Sequence, residues 1–254
     1  MITGYGHFAQ LADSLQWDET AIDLSADAEA WQQLDAEERE QVVGLLAGFV
    51  IGETSVATHL KSFQAAASTD DAMEKVFVAQ ARDEARHARF FDRVVAEVAG
   101  VPGANLTERL EHLRGRVSPD LVELFEERLP ATAQRVADDP EGLTAAVGLY
   151  HMILEGVVLT AGQHALLDTL EKQSVKMPGV HKGMELVLRD ERWHIGFGSR
   201  VIQSADIVDD EMEELLKQGT KAASAWGDLI SEADVDKVEH LHRRRLKSVG
   251  IKFW

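Results

Sequence analysis

Long segments with helical periodicity, only sparsely punctuated by proline and glycine, constrain this chain more than any other feature. From Asp35, AEEREQVVGLLAGFVIGETSVATHLKSF repeats apolar residues at spacings of three and four, as an amphipathic or nearly buried helix does. A second long helix is predicted over about 71–98, stopped by Gly100 and Pro102. A third fits 142–173, and a fourth fits Pro178–Ser204, with Pro178 in the first turn, where a missing N–H costs nothing. At about 27 to 32 residues each, these helices far exceed the typical globular length of about 12. They must bury their apolar faces on one another, which predicts an all-α fold: a long four-helix bundle with additional helices around it.

Shorter elements fill the gaps. Two helical segments, about 106–116 and 119–137, meet at Val117 and Ser118, where Ser118 can cap the second and Pro119 suits its first position. Pro130 should kink or interrupt that segment, and Asp139-Pro140 closes it. Acid-rich helices are expected from about Asp209 and Glu232. Strand signals are weak, and no disordered linker divides the chain, so 1–254 is expected to be one domain.

The 254 residues include no cysteine, which removes disulfides and thiolate metal sites from consideration. A formal net charge of −18 argues against a nucleic-acid partner, because phosphate binding needs a basic stripe. The one basic cluster, Arg243, Arg244 and Arg245 followed by Lys247, is expected to be a solvated helix face. MITGYGHFAQLADSLQW does not resemble a signal peptide, and no run reaches the roughly 18 uninterrupted apolar residues of a membrane span, so a cytoplasmic location is the expectation.

The chemistry is carried by a repeated phrase and two isolated acids. DEARH covers 83–87 and DERWH covers 190–194; in each, a glutamate precedes a histidine by three residues. Residues three apart on a helix differ by about 60° in direction, so Glu84 with His87, and Glu191 with His194, can each bind one ion. Glu53 sits alone in the apolar run LLAGFVIGETSVATHL, and Glu155 alone in AAVGLYHMILEGVVLTAG. A buried, unpaired carboxylate costs several kcal/mol or more, and a pair of metal ions would compensate both acids together. Glu53, Glu84, His87, Glu155, Glu191 and His194 then supply one ligand set per long helix, with oxygen and imidazole donors that suit iron or manganese. Asp83 and Asp190 point about 100° away from the adjacent ligand and are expected to orient a ligand histidine instead. His151, four residues before Glu155, is expected to be a satisfied core histidine rather than a competing ligand.

This six-ligand pattern resembles the small (beta) subunit superfamily of class I ribonucleotide reductases, within the ferritin-like fold. SLQWDETAIDLSAD, with Trp17 and Asp23, is similar to the tryptophan-containing N-terminal segment of that superfamily. The position four residues after the first histidine, where ordinary reductase subunits carry a radical tyrosine, holds Phe91. Gly52-Glu53-x-x-Val56 and Tyr150-x-x-x-x-Glu155 look like the ligand-binding oxidase branch. That resemblance implies a manganese/iron cofactor (di-iron being possible) and dioxygen as oxidant. It further implies a Val56–Tyr150 ether crosslink, a long-chain fatty acid or similar ligand, and a homodimer. It places Glu53, Glu84 and His87 at a first metal, Glu155, Glu191 and His194 at a second, and Glu84 as the bridge. The alternative is a phenylalanine-type reductase small subunit, whose docking tail would have to come from LHRRRLKSVGIKFW with Phe253 and Trp254. A fatty-acyl desaturase or an iron-storage protein fits less well.

Overall fold

The computed structural model describes residues 4–173, 175–205 and 210–251, with side chains left out at 210–212. Asp209, Phe253 and Trp254 lie outside the described residues. Among those described, the secondary structure is helical throughout. In chain order the α-helices are α1 Tyr5–Ser14, α2 Ser25–Trp31, α3 Ala36–Ala66, α4 Asp71–Arg93 and α5 Leu106–Leu113. There follow α6 Pro119–Glu123, α7 Leu129–Asp138, α8 Leu143–Val147, α9 Thr160–Lys172, α10 Pro178–Ser204, α11 Asp210–Gln218 and α12 Glu232–Ser248. Three π-helical stretches interrupt or extend them: π1 Val94–Val98, π2 Leu124–Arg128 and π3 Gly148–Leu159.

The four long columns are α3, α4 with π1, the continuous run α8–π3–α9, and α10, and they pack against one another as the bundle. The ends obey local chemistry. At α3, Asp35 accepts the Glu38 N–H at 2.9 Å while Glu38 accepts the Asp35 N–H at 3.0 Å, a reciprocal cap of about 1 kcal/mol. Ser118 caps α6 through the Leu121 N–H at 3.1 Å, with Pro119 in the first turn. Pro130 interrupts its helix as expected, and the break takes the form of π2, just before it. The third long column departs from expectation. It spans the predicted length, yet its central twelve residues are π-helical, and the carbonyls of Glu155, Gly156 and Val158 there also accept side-chain donors. α1 was not foreseen; it lies across α4 and α10.

Trp226 locks α3 to α9. The fully buried indole occupies the space where a Cβ on Gly48 or Gly162 would stand, within 2.3 and 2.2 Å of ring carbons, so only glycine fits at either place. Its Nε1 donates to the Val158 carbonyl at 2.7 Å. By length and hydropathy, Ala36–Ala66 and Pro140–Lys172 would each suffice to cross a membrane, but 72% and 83% of their apolar windows are buried inside the bundle.

Candidate metal centre

The four columns direct their isolated polar side chains at one buried region. α3 supplies Glu53, α4 supplies Glu84 and His87, π3 supplies Glu155, and α10 supplies Glu191 and His194; none is more than 1% exposed. Their ligand atoms form two groups, each with all atoms within 4.8 Å of one another: Glu53, Glu84, His87 and Glu191, and Glu84, Glu155, Glu191 and His194. Glu84 belongs to both, with Oε2 3.3 Å from His87 Nδ1 and Oε1 3.0 Å from His194 Nδ1. Glu191 does the same, at 3.5 Å from His87 and 3.4 Å from His194. One spanning carboxylate, Glu84, was expected; the geometry supplies a second. Glu53 and Glu155 each serve one side only, 3.6 Å from His87 Nδ1 and 3.4 Å from His194 Nδ1.

The residues fit a pair of cations. Both oxygens of Glu53 and Glu191, one oxygen each of Glu84 and Glu155, and Nδ1 of both histidines are buried without a hydrogen-bond partner. Four carboxylates balance the charge of two divalent ions, and the donor set contains no sulfur. The electrostatics report the same strain. Burial pushes Glu53 up to about 8, with His87 opposing. Burial and the Glu191 charge lift Glu155 well above the usual carboxylate range. Against burial, His194 and His87 hold Glu84 well below it. Both histidines are held well above their ordinary value, despite burial, by the surrounding carboxylates.

The aspartates of the two motifs are exchanged. Asp190, from DERWH, faces the histidine of DEARH, with Oδ2 3.3 Å from His87 Nε2. Asp83, from DEARH, faces the histidine of DERWH, with Oδ2 3.7 Å from His194 Nε2. Arg86 joins them, its Nη2 2.7 Å from Asp83 and 3.0 Å from Asp190. Trp17 Nε1 donates to Asp190 at 2.7 Å, and its ring lies under the Arg86 guanidinium at 5.0 Å. Asp190 thus touches a histidine of the centre and Trp17 touches Asp190, while Asp83 faces the other histidine from beyond hydrogen-bond distance. Asp23 lies apart, accepting from Ser25 in an exposed turn.

A family profile described as "Ribonucleotide reductase, small chain" matches residues 6–242. The chain belongs to the ribonucleotide reductase small-chain family. Its fold is also that of several solved R2-like ligand-binding oxidases. A glycine variant with an anaerobically reconstituted Mn/Fe cofactor is 24% identical, with a TM-score of 0.82 over 98% of this chain and 95% of that one. A valine variant gives 22% identity and a TM-score of 0.80 over 97% and 92%. A tyrosine-to-phenylalanine variant gives 24% and 0.79 over 97% and 92%. At these identities the likeness establishes a shared fold.

Against the small-chain family's ligand pattern, the surroundings are this chain's own. Phe91 is fully buried and stacks on Phe49 at 4.8 Å and 10°. Val56 is buried one turn beyond Glu53 in α3. The Tyr150 hydroxyl donates to Glu84 Oε1 at 2.8 Å. Gln80 was not anticipated. Its Nε2 donates to Tyr150 Oη at 3.0 Å and to Glu155 Oε1 at 2.9 Å, and its Oε1 lies 3.0 Å from His151 Nε2. His151 is therefore a core histidine, as expected, pulled down by burial to about 3 and outside both ligand groups. Gln80 had a signal: it stands one turn before Glu84 on the same face of α4. Arg245 corrects an expectation. Arg243, Arg244 and Lys247 are exposed, but Arg245 turns inward and donates to the Gly156 carbonyl.

Proposed function

We propose that the protein is an oxygen-activating dimetal oxidase with a manganese/iron centre, di-iron being the alternative loading, acting on a hydrophobic, fatty-acid-like substrate. The observation that carries this is the pair of buried ligand groups sharing Glu84 and Glu191. The Mn/Fe assignment follows the R2-like ligand-binding oxidases whose fold the chain shares. When bound, the metal pair would supply the redox equivalents for activating dioxygen. Glu53, Glu84 and His87 with Glu191 would hold one ion, and Glu155, His194 and the same two shared carboxylates the other. Asp190 fixes the His87 ring so that Nδ1 faces inward, Asp83 faces the His194 ring from 3.7 Å, and the packed columns exclude water.

Tyr150 keeps its phenolic proton at rest, since burial and the charges of Glu155 and Glu84 raise it well above the ordinary tyrosine value. A Val56–Tyr150 ether link belongs to the same proposal. Joining Val56 Cβ to Tyr150 Oη breaks one C–H and one O–H bond and releases two electrons and two protons, which dioxygen accepts at the level of hydrogen peroxide. A cavity of about 310 Å³ adjoins π3, lined by Leu124, Leu149, Ile153 and Leu215 together with two acids, Asp120 and Glu123, and two bases, Arg128 and Lys221. A cytoplasmic homodimer is proposed on the family resemblance alone; light scattering in solution tests the dimer.

Reconstitution with Mn(II) and Fe(II), followed by anomalous diffraction at both edges, tests the centre, and intact mass before and after oxygen tests the link. The expected results are two ions and a loss of two hydrogens. Zinc alone, or an unchanged mass, refutes the corresponding claim. One observation favours a second reading, a phenylalanine-type reductase small subunit: Trp17, Asp190 and His87 form a hydrogen-bonded line from a partly exposed indole to the centre. Nucleotide reduction in a mixed assay with a reductase large subunit would reverse the ranking.

A further inference from the structure

π3 carries both Tyr150 and Glu155, and a π-helical turn is wide and rare unless neighbours hold it. Three side chains hold this one by its carbonyls. Thr160 Oγ1 donates to the Glu155 carbonyl at 2.7 Å, and Trp226 Nε1 to that of Val158 at 2.7 Å. Between them, Arg245 Nη1 donates to the carbonyl of Gly156, the residue directly after the ligand. Arg245 differs from the other two in bearing a charge. It also comes from α12, which contributes no member of either ligand group.

Two further observations tie it to Glu155. Burial draws the guanidinium below its usual value, with Glu155 opposing. Its approach also depends on glycine: a Cβ on residue 156 would stand 3.2 Å from Arg245 Nη1 and 3.0 Å from the His151 carbonyl. Meanwhile Gln80 fixes only one carboxylate oxygen of Glu155, Oε1, leaving Oε2 unpartnered. The Glu155 side chain springs from the backbone one residue before the carbonyl that Arg245 holds.

We propose that Arg245 is a positioning residue for Glu155: clamped on the Gly156 carbonyl, it fixes the π-turn and so the angle at which this carboxylate meets the second metal. The inference rests on the dimetal reading and deepens it, because it assigns part of the second site to a helix that touches no metal. It also gives the inward turn of one arginine in a basic run a specific cause.

The test is Co(II) titration of the full chain, read by ligand-field absorption and by site-resolved anomalous occupancy in crystals, with melting curves alongside. Arg245→Met and Gly156→Ala should weaken the second site by roughly tenfold or more and alter its absorption, leaving the first site near wild type. Arg245→Lys, which keeps a charged donor, should recover part of the loss. Arg244→Met, on the exposed face, should behave as wild type. Wild-type affinities and spectrum in Arg245→Met would overturn the proposal. So would equal weakening of both sites in step with a fall in Tm, which marks a merely structural arginine. If Gly156→Ala does not fold, the Met and Lys variants still decide. A wild-type chain that binds no pair of ions sinks the dimetal reading and this inference with it, a result distinct from a normal wild type with an unresponsive variant.

Discussion

Asp190→Asn and Asp83→Asn should each damage the metal site of the other motif. Asp190 lies beside Glu191, yet its Oδ2 faces His87 Nε2 at 3.3 Å, so its loss should weaken the site built on Glu53 and His87. Asp83 lies beside Glu84 but faces His194 at 3.7 Å, so its loss should weaken the site built on Glu155 and His194. Removing an outer partner of a ligand histidine costs about 10- to 100-fold in affinity, or about 1.4–2.7 kcal/mol. The two changes should fall at opposite ends of that range. Asp190 is itself fixed by Trp17 at 2.7 Å, Arg86 at 3.0 Å and Arg189 at 3.0 Å, so its acceptor is rigidly placed. Asp83 stands beyond hydrogen-bond distance from its histidine, and its Oδ2 has no hydrogen-bond partner. Asp190→Asn should therefore approach the 100-fold limit and Asp83→Asn stay near tenfold. Crystals equilibrated at graded Mn(II) and measured above the Mn edge give the occupancy of each site. If each substitution weakens the site of its own motif, or both sites equally, the exchange has no energetic meaning.

Chelation should destabilise the loaded protein. At 100 times Kd each site contributes about 2.7 kcal/mol, so two give roughly 5 kcal/mol and about 10 °C or more in Tm; coincident melts of loaded and chelated protein would refute this. Glu53→Leu should stabilise the metal-free chain by about 1–3 kcal/mol, since it removes a carboxylate with both oxygens buried and unpartnered, and should remove about half of the metal-dependent increment, the share of the one site it serves. Urea titration with and without metal checks both parts, and a less stable metal-free variant would contradict the argument. His242 is fully buried, with Nε2 3.0 Å from the Leu216 carbonyl, and burial pulls it down to about 4 against about 6.5 unfolded. Its folded value is the lower one, so the unfolded chain binds the proton first. Stability present above about pH 6.5 is lost as pH falls towards and through about 4, by at most about 3 kcal/mol. His242→Gln should flatten that slope relative to wild type in denaturation curves across the window; an unchanged slope counts against it.

The six candidate ligands that meet in the centre were legible because each broke a pattern. Glu53 and Glu155 interrupt apolar runs, and the two Glu-x-x-His pairs repeat a spacing that only a helix makes meaningful. The four columns were legible for the same reason, since apolar period and sparse proline survive packing. What stayed hidden depends on where one helix stands relative to another. Glu191 gives no sign in sequence that its two oxygens face different histidines. Arg245 shares its run with Arg243 and Arg244, and only the placement of α12 against π3 separates them. π3 escaped because a π-turn differs from an α-turn by one residue in register, while seven of the ten side chains in that stretch are apolar and therefore blind to direction.

The ligand sets are nearly symmetrical, and the asymmetry lies one layer out. Each site has one unshared glutamate, one histidine and the same two shared carboxylates, so the first layer offers two different metals no basis for choice. Around His87, the layer is stiff and charged: Asp190 is held by Trp17, Arg86 and Arg189, while neither Glu53 oxygen has a hydrogen-bond donor among the described residues. Around His194, the aspartate is distant, and Glu155 is instead gripped by Gln80 on a π-turn that also presents Tyr150. A rigid histidine beside a free carboxylate and a looser histidine beside a tethered one place different demands on an ion's preferred geometry. Discrimination between metals would then arise from Asp190, Gln80 and the π-turn, and exchanging the ligands themselves between the sites would not transfer it.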